Sequence, residues 1–429
     1  MLAALGGTPE VTAPHPHNDL CAFSPRDVEV IVAHLDAGGT TSYYGRDGEL
    51  REFEDELAAF FGRTHCVAVN SGTNALHSAF FGIGLQPGDE VIVPSYTFLA
   101  TVSPLFALRA VPVLADCERD TGNISPEDIA RRITPRTKAI VVTHQFGHPV
   151  EMDAVMDLAE RHGLKVVEDA SLAFGATYKG RRAGSLGHVA AFSLGSTKMV
   201  SGGQGGALVT DDPEVMERAN LLGHFVRRSV TEVSSAFYRR FITTGYGHNY
   251  RMHALAVTMA RGRLHRLDEL IASRHERLDR LSAGLADLPF IEPPVTRSYV
   301  HRGQWGGYTA SYDAEAAGVD IDTFVAALEA EGLEVAARGY HPLLHRAEFF
   351  RTAEDGYYPG QPWQEKRLYS EGDLPESEWH ADRQIAFPIF LDEPLELVDG
   401  YVRAVRKVVE GLHALKADLA RSAPAAFTV

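Results

Sequence analysis

Between about residues 50 and 215, apolar and polar positions follow a repeating order of amphipathic helical segments and short β-branched runs. The apolar runs are CVAVN, DEVIVPSY, AVPVLAD, KAIVVTH, LKVVED and GALVT, and helical segments such as LREFEDELAAFFG and AVMDLAERHG lie among them. This order predicts parallel strands joined by crossover helices. The expected fold is therefore α/β, with a sheet covered on both faces.

A long helical pattern runs over residues 250–288. Its apolar residues lie seven apart or on the neighbouring stripe, and they are Leu264, Ile271, Leu278 and Leu285, then Leu267, Leu281 and Leu288. This seam predicts one helix that packs into a core and joins two domains. A coiled coil is the less favoured interpretation because the seam is only about three heptads long.

A chain of 429 residues is expected to divide into domains. We predict an amino-terminal arm over residues 1–30, a large domain over 31–270 and a smaller α+β domain over 271–429. The small domain should contain helices near DTFVAALEAEG and LVDGYVRAVRKVVEGLHAL. A long loop is expected over about 340–375, which is rich in Tyr, Gly and Pro.

Composition narrows the possible partners and locations. The 57 acidic and 41 basic side chains give a net charge of −16 without a basic stripe, which argues against a nucleic-acid partner. The amino terminus lacks the pattern of a secretion signal and no segment is apolar enough for a membrane helix, so we expect a cytoplasmic protein without a membrane partner. Cys21, Cys66 and Cys117 lie far apart and are expected to be reduced, mostly buried thiols.

The segment CVAVNSGTNALHSAFF places Asn-Ser-Gly-Thr between an apolar strand and a helix. The first N–H groups of a helix are unpaired and lie at the positive end of its dipole. Gly72 lets an anion approach them, and Ser71 and Thr73 can add hydroxyl donors. The segment predicts a phosphate-binding turn, with an ordinary Ser or Thr helix cap as the alternative.

Asp169 ends the apolar run LKVVED. Open α/β sheets bind ligands at the carboxyl ends of their strands, and a buried carboxylate there needs a cation or a strong hydrogen-bond donor. That partner is either a ligand or, as an equal alternative, a helix start or a salt bridge to Lys179 or Arg181.

The segment FSLGSTKMVSGGQGG places Lys198 five residues after Ser193 and before a glycine-rich turn. A desolvated lysine loses its proton more easily and can attack an aldehyde. Alone, this motif favours a surface lysine on a hairpin. Together, the phosphate turn, the carboxylate and the amine match the phosphate, ring nitrogen and aldehyde of pyridoxal 5′-phosphate.

From about residue 35 to the carboxyl end, the sequence resembles the DegT/StrS family of pyridoxal-phosphate aminotransferases, which act on keto-sugars and keto-cyclitols. The resemblance implies the type I fold of PLP-dependent transferases, with a large domain built on a mostly parallel seven-stranded sheet and a smaller α+β domain. NSGTNAL resembles the family's phosphate turn and implies Gly72 and Thr73 as contacts. PSYTFLAT resembles a segment whose phenylalanine, here Phe98, stacks on the cofactor ring.

Three more motifs extend the resemblance. VVEDASLAFGA implies that Asp169 pairs with the ring nitrogen, and FSLGSTK implies that Ser193 binds the phosphate and Lys198 the aldehyde. GHNYRM resembles a motif whose asparagine, here Asn249, reaches the phosphate in the neighbouring subunit. It therefore implies a homodimer with shared sites.

Three positions depart from the family pattern. Leu172 stands where Gln or His commonly donates to the phenolic oxygen of the cofactor, His188 replaces a commonly acidic residue, and Gln204 replaces a glutamate. These departures motivate an alternative chemistry on the same cofactor: dehydration, elimination or cyclisation.

His341 and His345, in HPLLHRAEF, do not predict a metal site. Pro342 disfavours a regular helix through both histidines, and the sequence shows no third ligand. The segment instead resembles a PLH loop of the family.

The resemblance implies transfer of an amino group from glutamate or glutamine to a keto-cyclitol or keto-sugar in aminosugar or aminocyclitol biosynthesis, as in antibiotic pathways. The opening LGGTPEV slightly favours a carbocyclic or unphosphorylated ketone, with a nucleotide-linked keto-hexose as the alternative. A cofactor-binding regulator is the least favoured function because the sequence has no separate DNA-binding helix pair.

Overall fold

The computed structural model describes residues 1–12, 24–224, 226–339, 341–352 and 368–422. The helices are α1 (Pro25–Asp36), α2 (Gly48–Phe61), α3 (Gly72–Gly82), α4 (Ser103–Ala107), α5 (Pro126–Arg132), α6 (Met152–His162), α7 (Pro213–Gly223), α8 (Arg227–Glu232), α9 (Ala254–Leu264), α10 (Leu267–Leu285), α11 (Ala314–Ala317), α12 (Ile321–Ala330), α13 (Glu348–Arg351), α14 (Pro375–Arg383), α15 (Leu395–Glu410) and α16 (Leu412–Ser422). Short 3-10 helices span Ala3–Leu5, Leu99–Thr101, Gln145–Gly147, Tyr238–Phe241 and Leu344–Arg346. The strands are β1 (His65–Val69), β2 (Glu90–Pro94), β3 (Val111–Ala115), β4 (Thr137–Thr143), β5 (Lys165–Asp169), β6 (Thr177–Tyr178), β7 (Arg181–Arg182), β8 (Val189–Ser193), β9 (Gly206–Thr210), β10 (Ile291–Glu292), β11 (Val300–His301), β12 (Tyr308–Tyr312), β13 (Ala336–Ala337) and β14 (Gln384–Phe387).

The largest sheet has seven strands in the order β1-β9-β8-β5-β4-β2-β3. The strands from β8 to β3 pair in parallel, whereas β9 is antiparallel to both β8 and β1. Side chains alternate between the two faces: Val67 and Val69 pack in a core with α3 and α7, while Cys66 and Ala68 pack in a core with α2 and α9. The predicted α/β fold with a mostly parallel sheet covered on both faces is confirmed.

This topology gathers the candidate residues at one edge of the sheet. Parallel strands present their carboxyl ends at the same edge, and the antiparallel β9 begins there. Ser71 follows β1, Phe98 follows β2, and Asp169 and Ser193 are the last residues of β5 and β8. The motifs are therefore neighbours in space although more than a hundred residues separate the first from the last.

The single helix predicted over residues 250–288 is wrong in its bounds. The structure has two helices, α9 and α10, with His265 and Arg266 between them. Leu264 and Leu267 are buried in a core of the large sheet, whereas the later seam residues are buried against the small sheet, namely Leu278, Leu281, Leu285 and Leu288. The seam thus serves two cores, and the break lets each half face its own core.

The second core surrounds a four-stranded antiparallel sheet in the order β10-β12-β14-β13, with α10, α12 and α15 packed on it. Helix α12 lies where DTFVAALEAEG predicted one. The last predicted helix is divided into α15 and α16 at Gly411. The segment 340–375 contains α13 and a 3-10 helix, although Tyr340 and residues 353–367 lie outside the described residues. The domain boundaries after residues 30 and 270 stay a prediction.

Within the described ranges, no helix combines the length and the apolar character that a membrane crossing requires. Cys66 and Cys117 are buried and free, and burial raises the pKa of both thiols. Cys21 lies outside the described residues.

Candidate active site

A cavity of about 390 Å³ opens at the carboxyl edge of the large sheet. Its walls include seven of the eight predicted site residues, and the lining consists of Ser71, Gly72, Thr73, Leu76, Thr97, Phe98, Ala100, Thr101, Thr143, Asp169, Ser171, Leu172, Ser193, Gly195, Thr197, Lys198, Gln204, Gly205 and His341. The structure therefore brings together the phosphate turn, the carboxylate and the amine that the sequence proposed separately.

The amino-terminal end of α3 forms one end of this cavity. Ser71 caps the helix, and its Oγ accepts a hydrogen bond from the Asn74 N–H at 3.1 Å. Gly72 begins the helix at a place where no side chain fits, because a Cβ there would lie 2.8 Å from Cβ and 3.2 Å from Oγ of Ser193. The glycine lets the end of β8 bring a hydroxyl next to the unpaired N–H groups of α3. The helix cap is therefore present, and the anion site at the same turn stays a prediction.

Asp169 is 5% exposed at the end of β5. Thr101 Oγ1 donates to its Oδ2 at 2.7 Å, and the Ser171 N–H donates to its Oδ1 at 3.2 Å. Thr97 Oγ1 extends this set, at 2.8 Å from Thr101 Oγ1 and 3.1 Å from Thr143 Oγ1. Thr97 and Thr101 belong to PSYTFLAT, but that motif indicated only its phenylalanine and not this buried hydroxyl chain, which fixes the carboxylate.

The alternative ion-pair partners of Asp169 are engaged elsewhere. Lys179 Nζ and an Arg181 Nη contact Asp153 at 2.7 Å and 2.6 Å. Asp169 also does not start a helix, because a turn follows it. Both alternatives are therefore wrong, and the free lone pairs of the carboxylate are available to the cavity.

Lys198 lies on the connection between β8 and β9 and is half-buried in the cavity wall. Burial lowers the pKa of its ammonium group below the ordinary value of lysine; the negative charge of Asp169 acts in the opposite direction, and the positive charge of Arg274 lowers it further. The surface-lysine alternative is wrong for this position. A lysine that loses its proton more readily is suited to act as a nucleophile.

Ser171 and Gln304 tie the carboxylate segment to the lysine segment. Ser171 Oγ accepts from the Ser193 N–H at 3.1 Å, which joins the ends of β5 and β8. Gln304 is 2% exposed; its Nε2 donates to the Ser171 carbonyl at 2.9 Å, and its Oε1 accepts from the Met199 N–H at 3.2 Å. Arg274 donates to the Gln304 carbonyl at 2.7 Å. No sequence motif pointed to Gln304, since it follows a glycine in a segment that reads as a loop.

Phe98 and Asn249 differ in their placement. Phe98 lines the cavity and is 62% exposed, with its ring centroid 5.9 Å from that of His341. Asn249 is exposed and does not line the cavity of its own chain; its carbonyl accepts from Asn70 Nδ2 at 3.3 Å. Its Oδ1 accepts from the Arg251 N–H at 3.4 Å, whereas its amide nitrogen has no hydrogen bond to the residues that the structure describes.

The three residues that depart from the family pattern lie in two different parts of the structure. Leu172 and Gln204 line the cavity. His188 instead lies before the first residue of β8, at the opposite edge of the sheet, where its Nδ1 accepts from the Val166 N–H at 3.0 Å. Burial lowers the pKa of His188, which suits this acceptor role. The His188 departure therefore concerns the sheet and not the cavity chemistry.

The histidines considered for a metal have other partners. His345 is buried, with Nδ1 2.7 Å from Ser95 Oγ and Nε2 2.9 Å from Glu378 Oε1. His341 lines the cavity and stacks on Phe146 with ring centroids 6.0 Å apart. Across the described part of the chain, no group of three or more His, Cys, Asp or Glu side chains is arranged to hold a metal ion.

The chain matches the model of the DegT/DnrJ/EryC1/StrS aminotransferase family over residues 27–406. It is 32% identical over 396 residues to the spore coat polysaccharide biosynthesis protein SpsC of Bacillus subtilis (strain 168), a match that covers 90% of this chain and 95% of that protein. It is 41% identical over 249 residues to the dTDP-3-amino-3,4,6-trideoxy-alpha-D-glucose transaminase of Streptomyces venezuelae, over 58% of this chain and 63% of that one.

The comparison of three-dimensional structures points to the same family. The crystal structure of DesV from S. venezuelae superposes with a TM-score of 0.73 at 34% identity, covering 90% of this chain and 94% of that chain. The cavity is consistent with this family. The start of α3 at Gly72, the fixed carboxylate of Asp169 and the desolvated amine of Lys198 suit the phosphate, the ring nitrogen and the aldehyde of pyridoxal 5′-phosphate. The chain belongs to the DegT/DnrJ/EryC1/StrS aminotransferase family and is a pyridoxal-phosphate-dependent aminotransferase of fold type I.

Proposed function

We propose that this enzyme moves an amino group from glutamate or glutamine to a keto-sugar or keto-cyclitol in two half-reactions, within the biosynthesis of aminosugars or aminocyclitols. The observation that carries the proposal is the single cavity in which Lys198, Asp169 and the start of α3 meet. Each of these groups has one partner on the cofactor, and together they leave room for a substrate beside it.

Six residues hold the phosphate and the ring of the cofactor in this proposal. The phosphate is bound where the N–H groups of α3 and nearby hydroxyls stabilise an anion, by Ser71, Gly72, Thr73 and Ser193. Phe98 covers one face of the ring. Asp169 holds a proton on the ring nitrogen because its carboxylate is fixed and negatively charged.

When bound, pyridoxal 5′-phosphate supplies an aldehyde and an electron-withdrawing ring that stabilises negative charge at the substrate Cα. Lys198 Nζ binds the aldehyde and, once the donor amine has displaced it, moves the proton at the donor Cα. Its lowered pKa increases the fraction of neutral amine that can accept this proton. Asp169 keeps the ring nitrogen charged throughout.

The acceptor is proposed from the relatives and from the amino terminus. The S. venezuelae relative that is 41% identical is named as a transaminase of a dTDP-linked sugar, which supports a nucleotide-linked keto-sugar as the first acceptor to test. The opening LGGTPEV supports a carbocyclic ketone as the second.

A homodimer with shared sites is part of the proposal. Asn249 lies outside its own cavity, in an exposed segment whose apolar side chains include Phe237 (57% exposed) and Tyr246 (64% exposed). An open groove of about 910 Å³ borders this segment and begins at Thr73, which also lines the cofactor cavity. Exposed apolar surface of this kind favours burial against a second subunit. Light scattering should therefore report a mass of two chains.

The decisive experiment mixes the purified holoenzyme with glutamate or glutamine and then with dTDP-linked 3-keto and 4-keto sugars or scyllo-inosose. We expect the donor to change the visible absorption of the cofactor and one acceptor to restore it, with an aminated product in the mass spectrum. Lys198→Ala should lose both changes, whereas Lys179→Ala, a lysine that pairs with Asp153 on the surface, should keep them. Turnover by Lys198→Ala would overturn the assignment.

A second chemistry, elimination, dehydration or cyclisation, is kept because Leu172 and Gln204 line the cavity in place of common polar residues. The same mixture separates the two functions. If neither donor converts the cofactor to its aminated form while a substrate is still consumed, the second chemistry replaces transamination.

A further inference from the structure

A second cleft, of about 260 Å³, lies between the loop after β3 and the small sheet. It shares no lining residue with the cofactor cavity, and the Phe146 ring, stacked on His341, lies between the two. Its lining consists of Arg119, Asp120, Thr121, Phe146, Glu292, Pro293, Pro294, Val295, Arg302, Thr309, Ser311, Trp379, His380 and Gln384.

Arg302 gives this cleft a buried positive charge. The side chain is 4% exposed, and its guanidinium donates to Phe146 O, Thr296 Oγ1 and Val295 O, which are all neutral acceptors. Within the described residues, no carboxylate forms an ion pair with it. Burial lowers the pKa of Arg302 to about 9, although the guanidinium remains charged at neutral pH. The guanidinium also lies 5.1 Å from the centroid of the Trp305 ring, but a ring and neutral acceptors do not balance a buried charge, so an anion in the cleft would be stabilised.

Two neutral polar side chains face the same space. Thr309 on β12 and Gln384 on β14 belong to paired strands, and each is 4% exposed. Neither side chain hydrogen-bonds to any residue that the structure describes. Both side chains line the cleft, so their polar groups are available to a ligand that enters it. Together with Arg302 they form a convergent set of donors.

The other residues that line the cleft favour some anions over others. The rings of nucleobases and sugars would need an open aromatic face, but Arg119 and Arg383 already stack against Trp379, each 4.5 Å from its centroid. Asp120 and Glu292 also line the cleft and disfavour a doubly charged phosphate, whereas one guanidinium balances one carboxylate. The volume suits a molecule of a few carbon atoms.

We propose that this cleft binds a small carboxylic acid, with its carboxylate at Arg302 and within reach of Thr309 and Gln384. The site goes beyond the proposed function, because none of its residues belongs to the cofactor cavity. It leaves the two half-reactions unchanged whether it is filled or empty.

The test is calorimetric titration of the holoenzyme with butyrate, a monocarboxylate that lacks the amino and keto groups of a substrate, and separately with inorganic phosphate. Wild type should bind butyrate with a Kd below about 10 mM, the weak end of specific binding. Thr309→Val and Gln384→Leu should each weaken this binding about ten- to hundredfold, as expected for the loss of one hydrogen bond to a charged group. Thr8→Val, the same change at an exposed position outside both spaces, should have no effect.

Each outcome decides the proposal. Butyrate binding that the two variants weaken, with an unchanged visible spectrum of the cofactor, supports it. Binding that persists in both variants or that alters the cofactor spectrum places the ligand elsewhere, and the absence of saturable binding means that water alone fills the cleft. Phosphate binding without butyrate binding overturns the carboxylate assignment. Circular dichroism of the variants shows that the strands remain folded.

Discussion

Gly72→Ala tests whether the close contact between α3 and β8 builds the phosphate site. The added Cβ would lie 2.8 Å from Ser193 Cβ and 3.0 Å from Ser193 Cα. Carbon atoms pack at about 3.5–4.0 Å, so the helix start and the strand end must separate by roughly 0.7–1 Å. Neither side of the contact is the end of a flexible side chain, and the backbone has to move.

The size of the effect follows from these distances. Overpacking of this kind costs about 1–3 kcal/mol, and the restriction of the unfolded chain by alanine returns about 0.4–1 kcal/mol. A net loss of about 1–2 kcal/mol is expected in the unfolding of the apoprotein. If the displacement removes one hydrogen bond to the charged phosphate, worth about 1.5–3 kcal/mol, cofactor affinity should fall roughly ten- to hundredfold.

Gly82→Ala is the matched control. Gly82 ends the same helix, and a Cβ there would lie 2.7 Å from Val215 Cγ1, so the overpacking is similar but the phosphate site is far away. Urea unfolding of the apoproteins and titration with pyridoxal 5′-phosphate measure the two effects separately. Both variants should lose stability, and only Gly72→Ala should lose affinity. If the two variants bind the cofactor equally well, the Gly72–Ser193 contact does not form the phosphate site.

Three further substitutions test the rest of the cavity. Thr101→Val removes the hydroxyl donor that lies 2.7 Å from Asp169, and the free energy of unfolding of the apoprotein in urea should fall by about 1.5–3 kcal/mol. Thr101→Ser keeps the hydroxyl and should keep most of this stability. Equal losses in the two variants would show that packing is the cause. Gln304→Leu leaves two buried backbone groups, the Ser171 carbonyl and the Met199 N–H, without a hydrogen bond and should lower kcat more than it raises KM. Gln304→Glu keeps the acceptor and should recover part of kcat. A loss of stability without any change in kcat would contradict a positioning role for Gln304. Lys198→Met removes an ammonium group whose pKa burial lowers, so this variant apoprotein should be more stable than wild type below the folded pKa. That difference should shrink as the pH rises towards the ordinary lysine pKa of about 10.4, and a difference independent of pH would show that the charge is not its cause.

The strands of the large sheet could be predicted because both faces are buried, and continuous apolar runs such as KAIVVTH and LKVVED are typical of that environment. The residues at their carboxyl ends followed from the same rule, and the structure gathers seven of the eight in one cavity. The helix pattern over residues 250–288 gave the right apolar seam but the wrong bounds. The spacing of apolar residues predicts which residues are buried, but it does not predict in which core they are buried. Leu267 is buried in a core of the large sheet, whereas Leu278 is buried in the core of the small sheet.

The contacts that position the cavity residues could not be predicted because they join distant segments. The chain over residues 301–307 binds the turn after Asp169 through two backbone hydrogen bonds, from the Gln304 N–H to Phe174 O at 2.7 Å and from the Gly306 N–H to Leu172 O at 3.2 Å. A Cβ at Gly303 would lie 2.2 Å from the Ala176 nitrogen, so the two chains meet backbone to backbone.

This contact explains how the small sheet bears on the chemistry. Residue 307 is followed at once by β12, whose Thr309 lines the second cleft, while Gln304 holds Ser171 and Met199 beside the cofactor cavity. Any displacement of β12 relative to the large sheet must therefore stretch the hydrogen bonds that fix the spacing between Asp169 and Lys198. The side chains proposed to touch the cofactor fall within short motifs, whereas their mutual placement depends on a segment more than a hundred residues further along the chain.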